Sequence, residues 1–469
     1  MQYDIIIKNG VLVTSTGRYE ADIAVKGEKI AVVGQNIEGD AKRIIDASGM
    51  YIFPGAIDVH VHLQLPFCGT VSADDFENGS KAAACGGVTT IIDFAMQKKG
   101  KTLLDAVEKR REEADDKVCI DYSLHAVPTD WSSKVRDEMG RVMEYGVSSF
   151  KMFMVYRSEG LISEDDALFS ALEESSEIGA LIGVHAESAT ILDYLTARYH
   201  TQDMMKKYGA YCHALSRPNY IEAEAVSRAI TWAEAAGGNL YIVHMSTKEG
   251  AELVKDARSR DVKVFAETCP HYLLLEDELF KSNEGHLYAT CPQLKKQDDM
   301  IRLWKGLEGG ELSIVSTDTC TFTREQKNKW NGDFTKIPFG MPGVETIVPL
   351  IYTQGVQTGR LTMERMCALV SENPARLMGM YPQKGSLLPG TDADIMIIDP
   401  DSRQIIDYEK LQTNCDWSPF QGWETVGMPR YTILRGEIVA ENGKFKGKTG
   451  AGKFVKRGKP DLINFCNDY

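Results

Sequence analysis

Two histidines lie two residues apart in the apolar run AIDVHVH, at positions 60 and 62. Side chains at this spacing on a β-strand point to the same face, so His60 and His62 can bind one divalent cation together. A His-x-His pair is by itself a weak signal, because a buried pair is also compatible with a purely structural role. The pair has to be weighed with the other candidates along the chain.

Four further residues stand at or near the carboxyl ends of four other candidate strands: Lys151, His185, His244 and Asp318. The chain has only nine histidines, and four of them fall at such ends. In a barrel of parallel strands these ends meet at one mouth, where barrel enzymes place their active sites. The pattern predicts one shared site made of four imidazoles, a carboxylate and a lysine.

The lysine needs an explanation of its own, since an ammonium group would repel metal cations. If the neutral amine of Lys151 captured carbon dioxide, it would become a carbamate with two anionic oxygens. Such a group could bridge two metal ions about 3.5–4 Å apart. The alternative is a lysine that buries its aliphatic stem and extends its ammonium group to water.

Short β-branched runs alternate with amphipathic helical segments through the middle of the chain. The candidate strands are 56–62, 88–95, 118–126, 147–154, 180–187, 240–246, 262–269 and 312–319. Eight strands alternating with helices predict an α/β fold of the (β/α)8 TIM-like type. The segment 190–235 is longer than one crossover needs, so we expect an extra helix there.

Both ends of the chain have a different texture, with short strand-like runs separated by glycines. They predict one β-sandwich domain built from both termini, and two unrelated edge hairpins are the alternative. The predicted division is 1–52 for the first part of the sandwich, 53–384 for the barrel, and 385–469 for the second part with a C-terminal tail.

Composition excludes several functional classes. The chain has 469 residues and a formal net charge of −14, which disfavours binding to nucleic acid or to an anionic membrane surface. No apolar run approaches the roughly 18 residues that span a bilayer, and the N-terminal residues lack the pattern of a signal peptide. Ten scattered cysteines without a CxxC motif indicate reduced thiols and a cytoplasmic location.

Longer motifs extend over nearly the whole chain. They are FPGAIDVHVH, GGVTTIIDF, SSFKMFMVY, GVHAES, LYIVHMS, ETCPHYLLL, STDTCTF and ENPARLMGMYPQKGSLLPGTDADI. With these motifs the chain resembles the cyclic amidohydrolases of the dihydropyrimidinase/hydantoinase branch, and within it the bacterial phenylhydantoinases. This resemblance implies an amidohydrolase-type barrel joined to a β-sandwich, and subunits that assemble as homotetramers or dimers.

The resemblance also implies a site with two metal ions, usually zinc. One ion would be bound by His60, His62, carboxylated Lys151 (N6-carboxylysine) and Asp318. The other would be bound by Lys151, His185 and His244. A hydroxide bridging the metals would open a hydantoin, a 5-substituted hydantoin or a dihydropyrimidine to an N-carbamoyl amino acid.

Two further roles follow from the chemistry and from the resemblance. Asp318, placed beside the bridging water, would accept its proton and pass it to the leaving nitrogen. Tyr156 resembles the family tyrosine whose hydroxyl stabilises the tetrahedral oxyanion, and a rim aromatic packed on a loop is the alternative.

Two positions on the substrate side depart from the family pattern: Cys291 in CPQLK, where many relatives have serine, and Phe339 in IPFG, where many have asparagine. Both remain candidate substrate contacts, and Phe339 could favour an aryl substituent or another ring. Position in the sequence also suggests Leu65, Phe67, Phe153 and Arg157 as pocket residues. His125 and His271 are interpreted as satisfied structural histidines, and Cys320 as a buried thiol.

Alternative functions remain at this point. A related hydrolase could act on another cyclic amide, of the allantoin or dihydroorotate type, although dihydroorotate needs a basic group for its carboxylate. A non-catalytic scaffold of the dihydropyrimidinase-related type would lack the metal ligands, whereas here all six ligand positions are filled.

Overall fold

A parallel barrel forms the centre of the computed structural model, which describes residues 2–462. Its eight strands, in chain order, are Ala56–Asp58, Val88–Met96, Asp121–Val127, Ser149–Phe153, Leu181–His185, Leu240–Ile242, Val264–Thr268 and Ile314–Val315. Each strand pairs with its neighbour in sequence, and a parallel bridge between Val61 and Thr319 joins the first and last strand regions. The predicted (β/α)8 barrel is confirmed.

Helices cover the outside of the barrel. The α-helices are Phe76–Cys85, Leu103–Ala114, Ser133–Tyr145, Asp165–Ile178, Ala189–Tyr199, Gln202–Tyr208, Tyr211–Leu215, Asn219–Ala236, Lys248–Arg258, Pro270–Leu274, Gln297–Gly309, Arg324–Asn328, Ile347–Ile351, Met363–Cys367 and Asn373–Leu377. Two π-helical turns, Tyr352–Val356 and Ala368–Glu372, extend helices near the end of the barrel, and short 3-10 helices lie at Asp277–Lys281, Gly285–Tyr288 and Phe334–Lys336. The insertion after the fifth strand contains four α-helices, where the sequence predicted one extra helix.

Local sequence explains these elements. The second strand, VTTIIDFAM, is buried along its length up to Met96, as expected when helices cover one face and the barrel interior the other. Thr102 and Asp105 form a capping box that starts the next helix. The following helix ends at Gly146, whose φ of 110° suits a residue without a Cβ atom.

The two ends of the chain share one nine-stranded sheet. Its strands are Gln2–Thr14, Gly17–Lys26, Lys29–Gly34, Asp40–Asp46, Tyr51–Pro54, Ile395–Ile398, Pro429–Leu434, Glu437–Glu441 and Lys444–Phe445. Tyr51–Pro54 pairs with Ile395–Ile398 and so joins the two halves, and aliphatic side chains of both halves fill one core. The shared sheet confirms the domain built from both termini. The domain boundaries stay a prediction, and residues 463–469 of its last part lie outside the described residues.

The segment between the strands Ile395–Ile398 and Pro429–Leu434 packs against the barrel. It contains the small hairpin Arg403–Ile405 and Glu424–Val426. The indole N–H of Trp417 donates to the carbonyl of Phe322 at 2.8 Å. The Gln412 N–H donates to the buried Glu345 carboxyl at 2.7 Å, so Glu345 connects this segment to the loop after the last barrel strand.

Glu345 should make folding stability depend on pH. Burial raises its pKa to about 8, with a smaller contribution from Asp74. Between the ordinary value near 4.5 and about 8 the carboxyl is protonated in the folded chain and ionised in the unfolded chain. Stability therefore falls as pH rises through this window, by roughly 1.4 kcal/mol per pH unit. We expect Glu345→Gln to remove this slope; an unchanged difference between the denaturation midpoints at pH 5 and pH 8 would contradict the assignment.

The C-terminal tail runs beneath the amino-terminal ends of the barrel strands. Arg457 is buried there, with its guanidinium donating to the Ser123 and Ser149 hydroxyls at 2.9 Å each. The tail therefore packs at the end of the barrel opposite the candidate site. Within residues 2–462, none of the helices combines the length and the apolar composition that a bilayer crossing requires.

Candidate active site

A cavity of about 320 Å³ opens at the carboxyl ends of the barrel strands. The six predicted metal ligands all contribute to its lining: His60, His62, Lys151, His185, His244 and Asp318. Tyr156, Cys291 and Phe339 line the same cavity. The structure thus brings together the six predicted ligands and the three candidate catalytic or substrate-contacting residues.

The first group of ligand atoms converges on Asp318. The Nε2 atoms of His60 and His62 each lie 3.2 Å from its Oδ1 atom. One ligand atom from each of these three residues lies within 4.8 Å of the other two. Two imidazoles and a carboxylate at this spacing form a donor set that suits a divalent cation such as zinc.

Lys151 lies next to this group without a partner. Its side chain is buried, and Nζ accepts or donates no hydrogen bond within the described chain. Burial lowers the pKa of this amine to about 7, although the negative charges of Glu267 and Asp318 oppose the shift. Near neutral pH a large share of Lys151 is therefore a neutral amine, which is the form that reacts with carbon dioxide.

The other two histidines form the second group of candidate ligands. The rings of His185 and His244 have centroids 4.6 Å apart, and His244 lies 5.4 Å from His60. The Nε2–H of His185 donates to Glu187 at 2.7 Å, which leaves its Nδ1 atom available to bind a metal ion. With Lys151 between the two groups, the donor set fits a pair of divalent cations.

Backbone strain marks three of the site residues. Tyr156, His244 and Asp318 have φ values of 66°, 38° and 50°. These values lie in the left-handed region, which residues other than glycine rarely adopt. Such conformations cost about 1–3 kcal/mol each and persist where the surrounding structure requires them. Here they aim the side chains that follow the fourth, sixth and eighth strands into the cavity.

Comparison with known proteins gives the family. The model of the Amidohydrolase family matches residues 51–439. The chain is 41% identical to a D-hydantoinase of Geobacillus stearothermophilus, over 97% of this chain and 96% of the relative. The chain belongs to the amidohydrolase family. It is also 39% identical to a D-phenylhydantoinase of Escherichia coli strain K12, over 97% of this chain and 98% of that protein.

Solved structures agree with this assignment. A dihydropyrimidinase from Brevibacillus agri superimposes on this amidohydrolase with a TM-score of 0.94 at 37% identity, covering 97% of this chain and 99% of the other. An L-hydantoinase from Arthrobacter aurescens gives a TM-score of 0.89 at 33% identity, covering 97% and 100%.

A buried glutamate behind the ligands escaped the sequence analysis. Glu267 of the amidohydrolase accepts hydrogen bonds from the Nδ1–H of His60 at 2.5 Å and from the Tyr241 hydroxyl at 2.6 Å. The backbone N–H of His244 also donates to it, at 3.1 Å. Glu267 therefore fixes the tautomer of His60 so that Nε2 faces the cavity. Its sequence signal is its place near the end of the seventh strand, where it opens the motif ETCPHYLLL.

Glu187 orients His185 in the second group of candidate ligands, as Glu267 orients His60 in the first. Burial would raise the pKa of this carboxyl, but the hydrogen bond from His185 and the charge of Arg217 lower it to about 2. The Arg217 guanidinium is buried, with Nε 3.4 Å from Glu187. An ionised Glu187 keeps the His185 ring oriented. The sequence signal was the motif GVHAES, in which the glutamate follows the histidine by two residues.

The substrate-side loops are held together by one carbonyl group. The Ala289 oxygen accepts a hydrogen bond from the Gly340 N–H at 2.9 Å and from the Lys327 amine at 3.0 Å. This fixes the loop of Cys291 relative to the loop of Phe339. The Phe339 ring stacks on His213, with centroids 4.8 Å apart, so this aromatic side chain is a rigid part of the wall.

The remaining predictions had mixed outcomes. Leu65, Phe67, Phe153 and Cys320 line the cavity. Arg157 does not: it is exposed and forms an ion pair with Glu164 at 2.9 Å, so its prediction as a pocket residue was wrong.

The two other histidines also differ from each other. His125 is a satisfied structural histidine, with its ring nitrogens bonded to the Ser149 hydroxyl at 2.6 Å and the Val59 carbonyl at 2.9 Å. His271 is buried as predicted, but its Nε2 atom has no partner in the described chain. The expectation that His271 is satisfied was therefore wrong.

Proposed function

We propose that the protein hydrolyses the cyclic amide bond of a hydantoin, a 5-substituted hydantoin or a dihydropyrimidine, and releases an N-carbamoyl amino acid. The observation that carries the proposal is the convergence of four histidines, a buried unpartnered lysine and an aspartate at the floor of one cavity. The D-hydantoinases and the dihydropyrimidinase to which the chain is similar support the choice of substrate class.

The proposed metal sites use all six ligands. His60, His62, Asp318 and carboxylated Lys151 would hold one zinc ion, and Lys151, His185 and His244 would hold the other. The neutral Lys151 amine attacks carbon dioxide and loses a proton, which leaves the carbamate. Two bound divalent cations supply Lewis acidity that lowers the pKa of water and polarises the amide carbonyl.

The chain's own groups handle the protons and the oxyanion. A carboxylate oxygen of Asp318 accepts a proton from the attacking water and delivers it to the ring nitrogen as the C–N bond breaks. Burial raises the pKa of Tyr156 well above its usual value, so this phenol stays protonated and donates a hydrogen bond to the developing oxyanion.

Removing the Tyr156 hydroxyl should slow the chemical step. We expect Tyr156→Phe to lower kcat by about 10²–10³-fold, with a smaller effect on KM, because the hydrogen bond strengthens as the oxyanion forms. Steady-state kinetics on zinc-loaded protein would measure this. Tyr194→Phe, at an exposed tyrosine on an outer helix, is the matched control. A kcat within about threefold of the wild-type value would exclude the oxyanion role.

Substrate choice can be tested directly. Zinc-loaded protein would be incubated with hydantoin, 5-phenylhydantoin, dihydrouracil, allantoin and dihydroorotate, and ring opening followed by ultraviolet absorbance. We expect turnover of hydantoins or dihydrouracil. Apart from Lys151, no lysine or arginine of the described chain lines the cavity, which disfavours dihydroorotate. Intact rings in every sample despite bound metal would contradict the proposal and favour a non-catalytic scaffold.

We further propose that the enzyme is a cytoplasmic homotetramer. All nine cysteines of the described chain are free thiols, which supports a reducing compartment. The tetramer rests on the resemblance to the hydantoinase branch. Light scattering coupled to size-exclusion chromatography measures it, with about 208 kDa expected from four chains of 52.1 kDa.

A further inference from the structure

One carboxylate stands at the rim of the cavity, apart from the ligands at its floor. Apart from the six ligands, Glu159 is the only charged side chain among the described residues that line it. Glu159 is exposed, on the loop that follows Tyr156, whereas the ligand-bearing floor is mostly buried. It therefore marks the mouth of the cavity.

No cation of the described chain neutralises this carboxylate by an ion pair. Its Oε2 atom accepts a hydrogen bond from the neighbouring Ser158 hydroxyl at 2.7 Å. The adjacent Arg157 is occupied by Glu164 at 2.9 Å. The charge of Glu159 helps to raise the pKa of Arg217. The Arg217 guanidinium, however, is buried and lies against Glu187.

A small hairpin also lines the mouth. It consists of the strands Pro66–Phe67 and Thr70–Val71, with Cys68 at the turn. Burial and, to a smaller extent, the charge of Glu159 raise the pKa of Cys68 to about 11. Cys68 has no cationic form, so it cannot neutralise Glu159, and its protonated thiol adds no second negative charge at the mouth.

Between the floor and the mouth the wall is apolar. Leu65 and Phe67 on the hairpin side, and Phe153 and Leu161 on the other side, line it. A ring held at the floor by Tyr156 would extend an exocyclic chain along this wall, and the chain would end near Glu159. An unpaired carboxylate next to a low-dielectric cavity favours a cation there.

We propose that Glu159 binds a cationic group, an ammonium or guanidinium, at the end of an aliphatic exocyclic substituent of the substrate. The inference rests on the proposed function and specifies its substrate class. The net charge of −14 of the whole chain acts in the same direction, because it attracts cationic substrates.

The test compares two hydantoins of equal side-chain length. 5-(4-Aminobutyl)hydantoin ends in an ammonium group, and 5-pentylhydantoin carries a methyl group at the same place. We expect zinc-loaded wild-type protein to show a kcat/KM about fivefold to tenfold higher for the amine, the effect of one partly desolvated charge-assisted contact. Glu159→Gln should lower the value for the amine by about the same factor and leave that for the pentyl compound unchanged.

The control removes the same charge elsewhere. Glu173→Gln changes a partly exposed glutamate on an outer helix, 3.7 Å from Arg136, and should preserve the preference for the amine. Equal kcat/KM values for the two hydantoins in the wild type, or a preference that survives Glu159→Gln, would overturn the inference while turnover of the pentyl compound upholds the proposed function. No turnover of either compound would contradict the proposed function and the inference with it.

Discussion

Replacing Lys151 by alanine should remove the metal ions and lower kcat/KM by more than about a thousandfold. The reason is that the proposed carbamate supplies one oxygen ligand to each metal ion, whereas alanine supplies none. Lys151 is buried and unpartnered in the described chain, so its loss breaks no hydrogen bond of the fold. Metal analysis of the purified variant, together with the kinetics, measures the effect.

A small carboxylic acid should partly restore this variant. Acetate or propionate can enter the space left by the lysine side chain and present two oxygens where the carbamate stood. Lys151→Met is the matched control, because it removes the amine but fills the same space, so added acid should not restore it. A metal-free Lys151→Ala variant with full activity would contradict the mechanism, and equal rescue of both variants would contradict the role of the carbamate.

The sequence predicted the barrel and the residues that meet at its mouth, for a physical reason. Parallel strands buried on both faces have long β-branched runs, so the eight strands are visible without a structure. Once the strands are placed, their carboxyl ends must meet, which brings residues as distant as His60 and Asp318 to one mouth. The lysine stood out because an ammonium group has no place among metal ligands.

Loop geometry and orientation were harder to predict. Arg157 follows a ligand-bearing strand as closely as Tyr156 does, yet it pairs with Glu164 outside the cavity. Nothing in the local pattern distinguishes the two directions, because the φ of 66° at Tyr156 reverses the chain there. The part played by Glu267 depends on the Nδ1 atom of His60, and a strand pattern gives the face of a histidine but not its tautomer.

Asp318 has two proposed tasks, and replacing it by asparagine should separate them. The amide keeps the volume of the side chain and one oxygen that can still bind a metal ion, but it no longer accepts the proton of the attacking water. We expect Asp318→Asn to retain most of the bound metal and to lose about 10²–10⁴-fold in kcat, the usual contribution of a positioned general base.

The measurement is kcat per bound metal pair, obtained from metal analysis and kinetics on the same samples of Asp318→Asn. His62→Asn is the comparison, since His62 lies at the same 3.2 Å from Asp318 as His60 does but is proposed only as a ligand. In that variant activity should fall in proportion to the metal lost, so that kcat per metal pair changes little. If Asp318→Asn behaved in the same way, the aspartate would be a ligand alone, and proton transfer to the leaving nitrogen would belong to another group.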